Sequence, residues 1–298
     1  EHLIAHLFAA STHDYILILT NKGKCFWIKV HELPVGGRLS KGRPIVNMLS
    51  LAKEETICAF LPVREFTEDT NVVMATRQGQ VKKTDLTAFS NPRKDGIIAM
   101  SLPDKSKDEL IEVGLTDGTN EIILATRNGQ AIRFSEDNVR AMGRTAYGVK
   151  GINLGKGDYV ISMVVVNRMT TLLSVTENGF GKRSEIADYR ITNRGGKGVI
   201  NIKTTARNGK VVAVREVVDS DEMLMITNKG IIIRSHVGAI RTIGRATQGV
   251  KLINLDKGDK VIDVARVVSD KETNGLDKNE PIEGDSDTSD EEEDTAKE

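Results

Sequence analysis

Apolar residues in this chain fall into short runs of four to six, broken by polar turns, and the arrangement recurs. Runs at 15–19, 72–75, 122–125, 172–175 and 223–226 each lead into a Thr-x-x-Gly turn: TNKG at 20–23, TRQG at 76–79, TRNG at 126–129, TENG at 176–179 and TNKG at 227–230. The threonines are 56, 50, 50 and 51 residues apart, and a second glycine (Gly42, Gly96, Gly148, Gly198, Gly249) follows each by 20 to 22 residues. Runs this short are strands, and a turn rich in Gly and Asn between two of them reads as a hairpin. Asn-Gly at 128–129 and 178–179 predicts a two-residue turn in which both residues take positive φ.

Beyond each hairpin the pattern predicts two more strands. A third follows the second glycine, at 45–49, 97–102 and 250–255 in the copies where it is clearest. A fourth, rich in valine, occupies 160–166 and 261–268. Residues 3–10 read as the fourth strand of one further, incomplete copy. The expected fold is therefore all-β and propeller-like, made of four-stranded blades of about 50 residues, with five complete repeats plus part of a sixth. The repeats fill 1–268. Residues 269–298 have almost no apolar content and a like-charge block at 290–294, so an acidic, disordered tail is expected there.

Composition sharpens this in two ways. Aromatic residues make up only 4 %, so the core must be Val, Ile, Leu and Met. The formal net charge of zero hides opposite halves. Of 42 basic and 42 acidic residues, 3 and 13 lie in 269–298, which leaves 39 and 29 in 1–268, a net of +10 against −10. Such a tail is either a solvated extension or a competitor for whatever anion the body binds. No apolar run reaches the roughly 18 residues needed to span a bilayer, and no basic-apolar leader opens the chain. With Cys25 and Cys58 isolated and expected to be reduced, the reading is cytoplasmic.

Catalytic signatures are missing. There is no phosphate-binding Walker loop, no Gly-x-Ser-x-Gly elbow and no His-Glu-x-x-His. The five histidines are scattered, and His2 with His6 reads more simply as part of a strand than as a metal site. What recurs is positive charge. Three or four residues past each turn glycine stand Lys82-Lys83, Arg133, Lys182-Arg183 and Arg234, while the first copy has Trp27 there instead, with Lys29 two residues on. Strand alternation predicts that one residue of each adjacent pair points outward. The following loops add Arg38, Lys41 and Arg43; Arg93 and Lys94; Arg140, Arg144 and Lys150; Arg190, Arg194 and Lys197; and Arg241, Arg245 and Lys251. Any one of these reads as an ordinary solvated cation. Their recurrence at one blade position, which acidic residues do not share, predicts a curved basic track for a polyanion. Duplex DNA fits it better than single strands, which need aromatic platforms.

The stretches THDYILILTNKGK (12–24), GRPIVNMLSL (42–51), VRAMGRTAYGVKGI (139–152), ENGFGKRS (177–184) and GRATQGVKLI (244–253) resemble the C-terminal domain of bacterial DNA gyrase A, in order and over about 1–268. The resemblance implies a β-pinwheel whose neighbouring blades exchange strands and whose rim wraps double-stranded DNA. It implies no catalysis and no cofactor here; ATP and magnesium would act elsewhere in a type II topoisomerase that introduces negative supercoils. Implied partners are the N-terminal part of gyrase A and the gyrase B protein, in a heterotetramer on the bacterial chromosome, with the isolated domain monomeric and no membrane involved. The family's QRRGGKG box belongs to its first blade, and that copy is absent from this sequence. Arg194-Gly195-Gly196-Lys197-Gly198 is nearly the same string in the fourth repeat. Adjacent glycines let backbone approach a phosphate that Arg and Lys neutralise. Tyr15, Tyr147, Tyr159 and Tyr189 read as structural, since the active-site tyrosine belongs to the family's N-terminal portion. Two other readings stand beside this one: the related C-terminal domain of topoisomerase IV, and a propeller serving as a protein scaffold, although no repeat carries the Trp-Asp pair of such arrays.

Overall fold

The computed structural model describes residues 10–36, 44–91, 93–103, 107–167 and 170–267. The acidic tail, and the strand expected at 3–10 apart from its last residue, lie outside these. Among the described residues regular structure consists of nineteen strands and short 3-10 turns.

Each repeat begins with a hairpin. These are β1 (Tyr15–Thr20) with β2 (Lys24–Lys29), β4 (Asn71–Thr76) with β5 (Gln80–Asp85), β8 (Glu121–Thr126) with β9 (Gln130–Ser135), β12 (Thr171–Thr176) with β13 (Phe180–Glu185), and β16 (Glu222–Thr227) with β17 (Ile232–His236). The turns differ from the expected two-residue form. Gly129 takes φ +87° and Gly179 φ +78°, while Asn128 and Asn178 keep negative φ. Gly129 N–H donates to the Thr126 carbonyl at 3.0 Å and Gln130 N–H to the Thr126 hydroxyl at 3.1 Å. One left-handed glycine after a three-residue turn is enough, with the buried threonine hydroxyl satisfying the next amide.

A strand that closes the repeat, β3 (Ile57–Val63), β7 (Leu110–Thr116), β11 (Val160–Val166), β15 (Val211–Val217) or β19 (Val261–Val267), pairs with the first strand of its own hairpin. The remaining strand is exchanged. β6 (Ile97–Ile98), β10 (Val149–Lys150), β14 (Val199–Ile200) and β18 (Val250–Lys251) each pair with the hairpin of the preceding repeat. The sheets accordingly run β3-β1-β2-β6, β7-β4-β5-β10, β11-β8-β9-β14 and β15-β12-β13-β18, with β19-β16-β17 as a three-stranded fifth blade. This is a five-bladed, propeller-like fold, and the exchange expected from the family resemblance is present.

The third strands are shorter than predicted, two residues rather than six. In the first repeat residues Ile45–Met48 form a 3-10 turn instead of a strand. The exchanged segment needs the hairpin edge of an earlier repeat, and no described residue supplies one before β1.

The closing strands β3, β7, β11, β15 and β19 pack against one another in succession. They therefore form the hub, and the exchanged strands, at the opposite edge of each sheet, form the rim. Aliphatic cores fill the spaces between neighbouring blades. One holds Leu17, Leu61, Val72, Met74, Phe89 and Met100, the next Val73, Ile122, Leu124, Ile132, Phe134 and Val160. Each fully buried Leu, Ile or Met stabilises by about 1.5–3 kcal/mol, so blades built from such runs are held by their neighbours more than by themselves.

Candidate nucleic-acid interface

In the second, third and fourth repeats the basic residues predicted on the second strand of the hairpin do not face solvent. Lys83, Arg133, Lys182 and Arg183 are all buried. Alternation would free one member of each pair only if a sheet face were open. Here one face meets the next blade and the other lies beneath the loop of the exchanged strand.

Lys83 ion-pairs with Glu136 at 3.2 Å and donates to the Glu136 carbonyl. Arg133 donates to the carbonyls of Ile186 at 2.8 Å and Tyr189 at 3.0 Å while its Nε meets Glu121 at 2.5 Å. Arg183 donates to the Ile240 carbonyl at 2.9 Å and pairs with Asp219. In every case the acceptor carbonyl belongs to the 3-10 turn of the following repeat or to the residue that ends it. Trp27, the apparent exception in sequence, gives its indole N–H to the Phe89 carbonyl at 2.8 Å and completes the same series. These side chains latch one blade to the next. Arg234, in the fifth blade, has no described following turn. Its side chain is 64 % exposed, against 5 % for Arg133, and it pairs with Glu222 of its own hairpin.

The loop cations are different. Arg93, Lys94, Arg140, Lys150, Arg190, Lys197, Arg241 and Lys251 are exposed, on the exchanged strands or the loops leading into them. They therefore lie on the rim. A half-buried arginine stands four residues before the second glycine in three copies, and each reaches back to the preceding exchanged strand. Arg144 donates to the Ile98 carbonyl at 3.3 Å, Arg194 to that of Lys150 at 3.1 Å, and Arg245 to that of Ile200 at 2.8 Å. The guanidiniums thus run from blade to blade along one perimeter. Arg38, Lys41 and Arg43 lie outside the described residues.

In the Arg194–Gly198 loop, Gly195 has φ +81° and its N–H donates to the Gly151 carbonyl at 2.6 Å. A side chain at Gly195 or Gly196 would meet nothing nearer than 3.5 Å, so both present open backbone beside Lys197. Gly198 is structural: a Cβ there would lie 2.2 Å from the Ala131 carbonyl oxygen.

Two lysines lie directly under the rim loops. Lys82 Nζ donates to the Ala99 carbonyl at 2.5 Å and to the Arg144 carbonyl; Lys182 Nζ donates to Ser184 Oγ at 2.5 Å and the Gly244 carbonyl at 3.3 Å. Burial, aided by the neighbouring Arg144, lowers the Lys82 pKa to about 7. Burial and Arg245 lower that of Lys182 to about 8, with Asp188 opposing. Sequence reasoning saw these lysines but not their burial. Among the described residues no group of His, Cys, Asp and Glu could hold a metal ion, and no helix is long and apolar enough to cross a membrane.

Comparison with known proteins matches this geometry to a family. The family model described as the DNA gyrase C-terminal domain, a β-propeller, matches residues 14–64, 70–117, 120–167, 170–217 and 221–267, one match per repeat. The DNA gyrase A protein of Salmonella typhimurium is 47 % identical over 280 residues, covering 93 % of this chain and 32 % of its own length. A solved structure of the DNA gyrase A C-terminal domain superposes with a TM-score of 0.75 at 26 % identity, covering 87 % of this chain and 84 % of that one. The crystal structure of the C-terminal domain of DNA topoisomerase IV gives 0.79 at 31 %, covering 86 % and 80 %. The chain belongs to the DNA gyrase A C-terminal domain family, and it spans about a third of the length of the curated gyrase A relatives it matches.

Proposed function

We propose that this chain is a non-catalytic domain that binds, bends and wraps duplex DNA around its rim. The observation that carries the reading is the perimeter itself: eight exposed cations on the exchanged strands and their loops, with Arg144, Arg194 and Arg245 bridging consecutive blades between them. Bending a 20–30 base-pair segment by 40–90° costs about 1–6 kcal/mol, so contacts spread around the curve must offset it. Phosphates supply them without sequence reading, because each contact releases a counterion and none touches a base edge.

In the whole protein the domain would present the wrapped segment to the N-terminal part of gyrase A, within a heterotetramer with gyrase B that uses ATP and magnesium on the bacterial chromosome. The Arg194–Gly198 loop is the rim segment best suited to close backbone approach. Eight neutralised phosphates imply a log–log dependence of affinity on salt near −7. Titration of mixed-sequence duplex from 50 to 200 mM salt tests this, and a flat response overturns the reading. The likeness to the topoisomerase IV domain keeps one second reading, DNA binding without a chiral wrap. Relaxed circular DNA incubated with the chain and then closed by a nicking-closing enzyme separates them: a shifted linking number marks a chiral wrap, an unshifted one the second reading.

A further inference from the structure

The four complete blades alternate in how they place lysine at the rim. Over the first blade the loop carries Lys94, and the strand residue beneath is Phe26, which a Cβ at Gly96 would touch at 2.8 Å. Over the third the loop carries Lys197, and the residue beneath is Ile132, facing Gly196 at 3.6 Å. Over the second and fourth blades the loops, 144–148 and 245–249, contain no lysine. There the residues at the same strand position are Lys82 and Lys182, both without exposed surface; Lys82 donates to the carbonyl of Arg144 at the start of its covering loop, and Lys182 to that of Gly244, the residue just before its own. Each of these four loops therefore has one ammonium group, within it or directly below it; the second and fourth blades carry Lys150 and Lys251 in addition, exposed on their exchanged strands β10 and β18.

We infer that Lys82 and Lys182 are positioning residues of the rim, supplying from beneath their loops the charge that Lys94 and Lys197 supply within theirs, and holding Arg144 and Arg245 toward a duplex phosphate backbone. This rests on the DNA-binding reading above. The two arrangements differ in one consequence. A solvated loop lysine stays charged across the neutral range, whereas the buried pair loses its protons there, Lys82 near 7 and Lys182 near 8. The charged groups facing them are Arg144 for Lys82, and Arg245 with the opposing Asp188 for Lys182. A bound phosphate favours the protonated lysine, so binding takes up protons and weakens as pH rises, by up to tenfold per unit for each group above its free pKa.

The test is duplex affinity of the full chain at pH 6.5 and 9.0 and constant salt, for wild type, Lys82→Ile/Lys182→Ile, Lys182→Ile, and Lys182→Ile/Gln248→Lys. The last variant converts the fourth blade to the arrangement of the third. Wild type should lose at least tenfold in affinity between the two values. The Lys82/Lys182 double variant should bind weakly at both and show no such loss, although His13, His31 and His236 remain. Gln248→Lys should restore the affinity lost in Lys182→Ile without restoring its pH dependence. Lys182→Met, which keeps the stem and removes the charge, replaces Lys182→Ile if thermal melting shows the latter unfolded. Absence of binding by wild type at pH 6.5 overturns the DNA reading and this inference with it. Binding that is equal at both pH values, or that Gln248→Lys fails to rescue, overturns this inference alone.

Discussion

Trp27 donates its indole N–H to the carbonyl of Phe89 at 2.8 Å, across 62 residues and one blade boundary. The same sequence position is filled by Lys83, Arg133 and Arg183 in the next three repeats, each donating to a carbonyl in, or directly after, the following 3-10 turn. Three kinds of side chain share one role because each presents an N–H at the end of a long, partly apolar stem. Trp27→Phe keeps the bulk and removes the donor. It should cost about 1–3 kcal/mol, the penalty for an unpaired buried carbonyl. Urea unfolding measures it, and a loss under about 0.5 kcal/mol would show that the bond does not hold the blades.

Arg133 and Arg234 occupy equivalent positions and should behave differently. Arg133→Met leaves Glu121 and two carbonyls without their donor in a buried site, at a cost of about 3–5 kcal/mol. Arg234→Met breaks one exposed pair with Glu222, worth about 0–1 kcal/mol. Chemical denaturation of the two variants side by side gives the comparison. Equal losses would mean that burial does not decide the role of this column.

The sequence pattern carried the fold further than it carried the site. Two landmarks repeated five times reflect turns that only glycine makes easily, so blade count, hairpins and hub strands could be read directly. The exchange of strands came from the family resemblance. It was hidden from pattern alone because Val149–Lys150 or Val199–Ile200 reads the same whichever hairpin it joins. The site divided along one physical line. Loop cations such as Lys94, Lys150 and Lys197 are exposed, as expected of long charged side chains. Strand cations such as Lys83 and Arg183 follow the same spacing, but burial depends on the blade and loop that cover them. No period in the chain encodes that cover. The one hint was Trp27, a donor without charge in a column of cations.

If the rim carries the binding, removing charge there should change salt dependence and leave the fold alone. Lys150, Lys197 and Lys251 are exposed, on two exchanged strands and one loop. Changing all three to Gln should reduce the slope of log affinity against log salt by about 2.7 while the melting temperature stays constant. Filter binding or fluorescence anisotropy at four salt concentrations gives the slope. An unaltered slope with weaker binding would place the phosphates elsewhere.

Two glycines in one loop separate conformation from packing. Gly195 and Gly198 both have positive φ, +81° and +74°. Alanine at Gly195 makes only an ordinary contact, 3.5 Å from the Lys150 carbonyl oxygen, and should cost only the left-handed penalty of about 1–2 kcal/mol. Alanine at Gly198 adds a 2.2 Å approach to the Ala131 carbonyl, where exchanged strand β14 joins the third blade. Gly198→Ala should therefore melt at a clearly lower temperature than Gly195→Ala. Equal melting temperatures would show that the exchanged strand contributes little to stability.

Stability should rise with pH where duplex binding falls. Lys82 and Lys182 have pKa values near 7 and 8 in the folded chain, set chiefly by burial, against about 10.4 for an unfolded lysine. Between those values the unfolded chain holds more protons than the folded one, so raising the pH favours the folded state. The buried thiols work in the other direction. Burial pushes Cys58 up to about 12 and raises Cys25 as well, so above about pH 8.5 the unfolded chain releases thiol protons that the folded chain keeps. The window that isolates the lysines therefore runs from about 6.5 to 8.5. Thermal melts across it, at constant ionic strength, should show the wild-type melting temperature climbing and that of Lys82→Met/Lys182→Met nearly level. A wild-type midpoint that falls over the same interval would mean that the ammonium groups are stabilised, not strained, where the loops cover them.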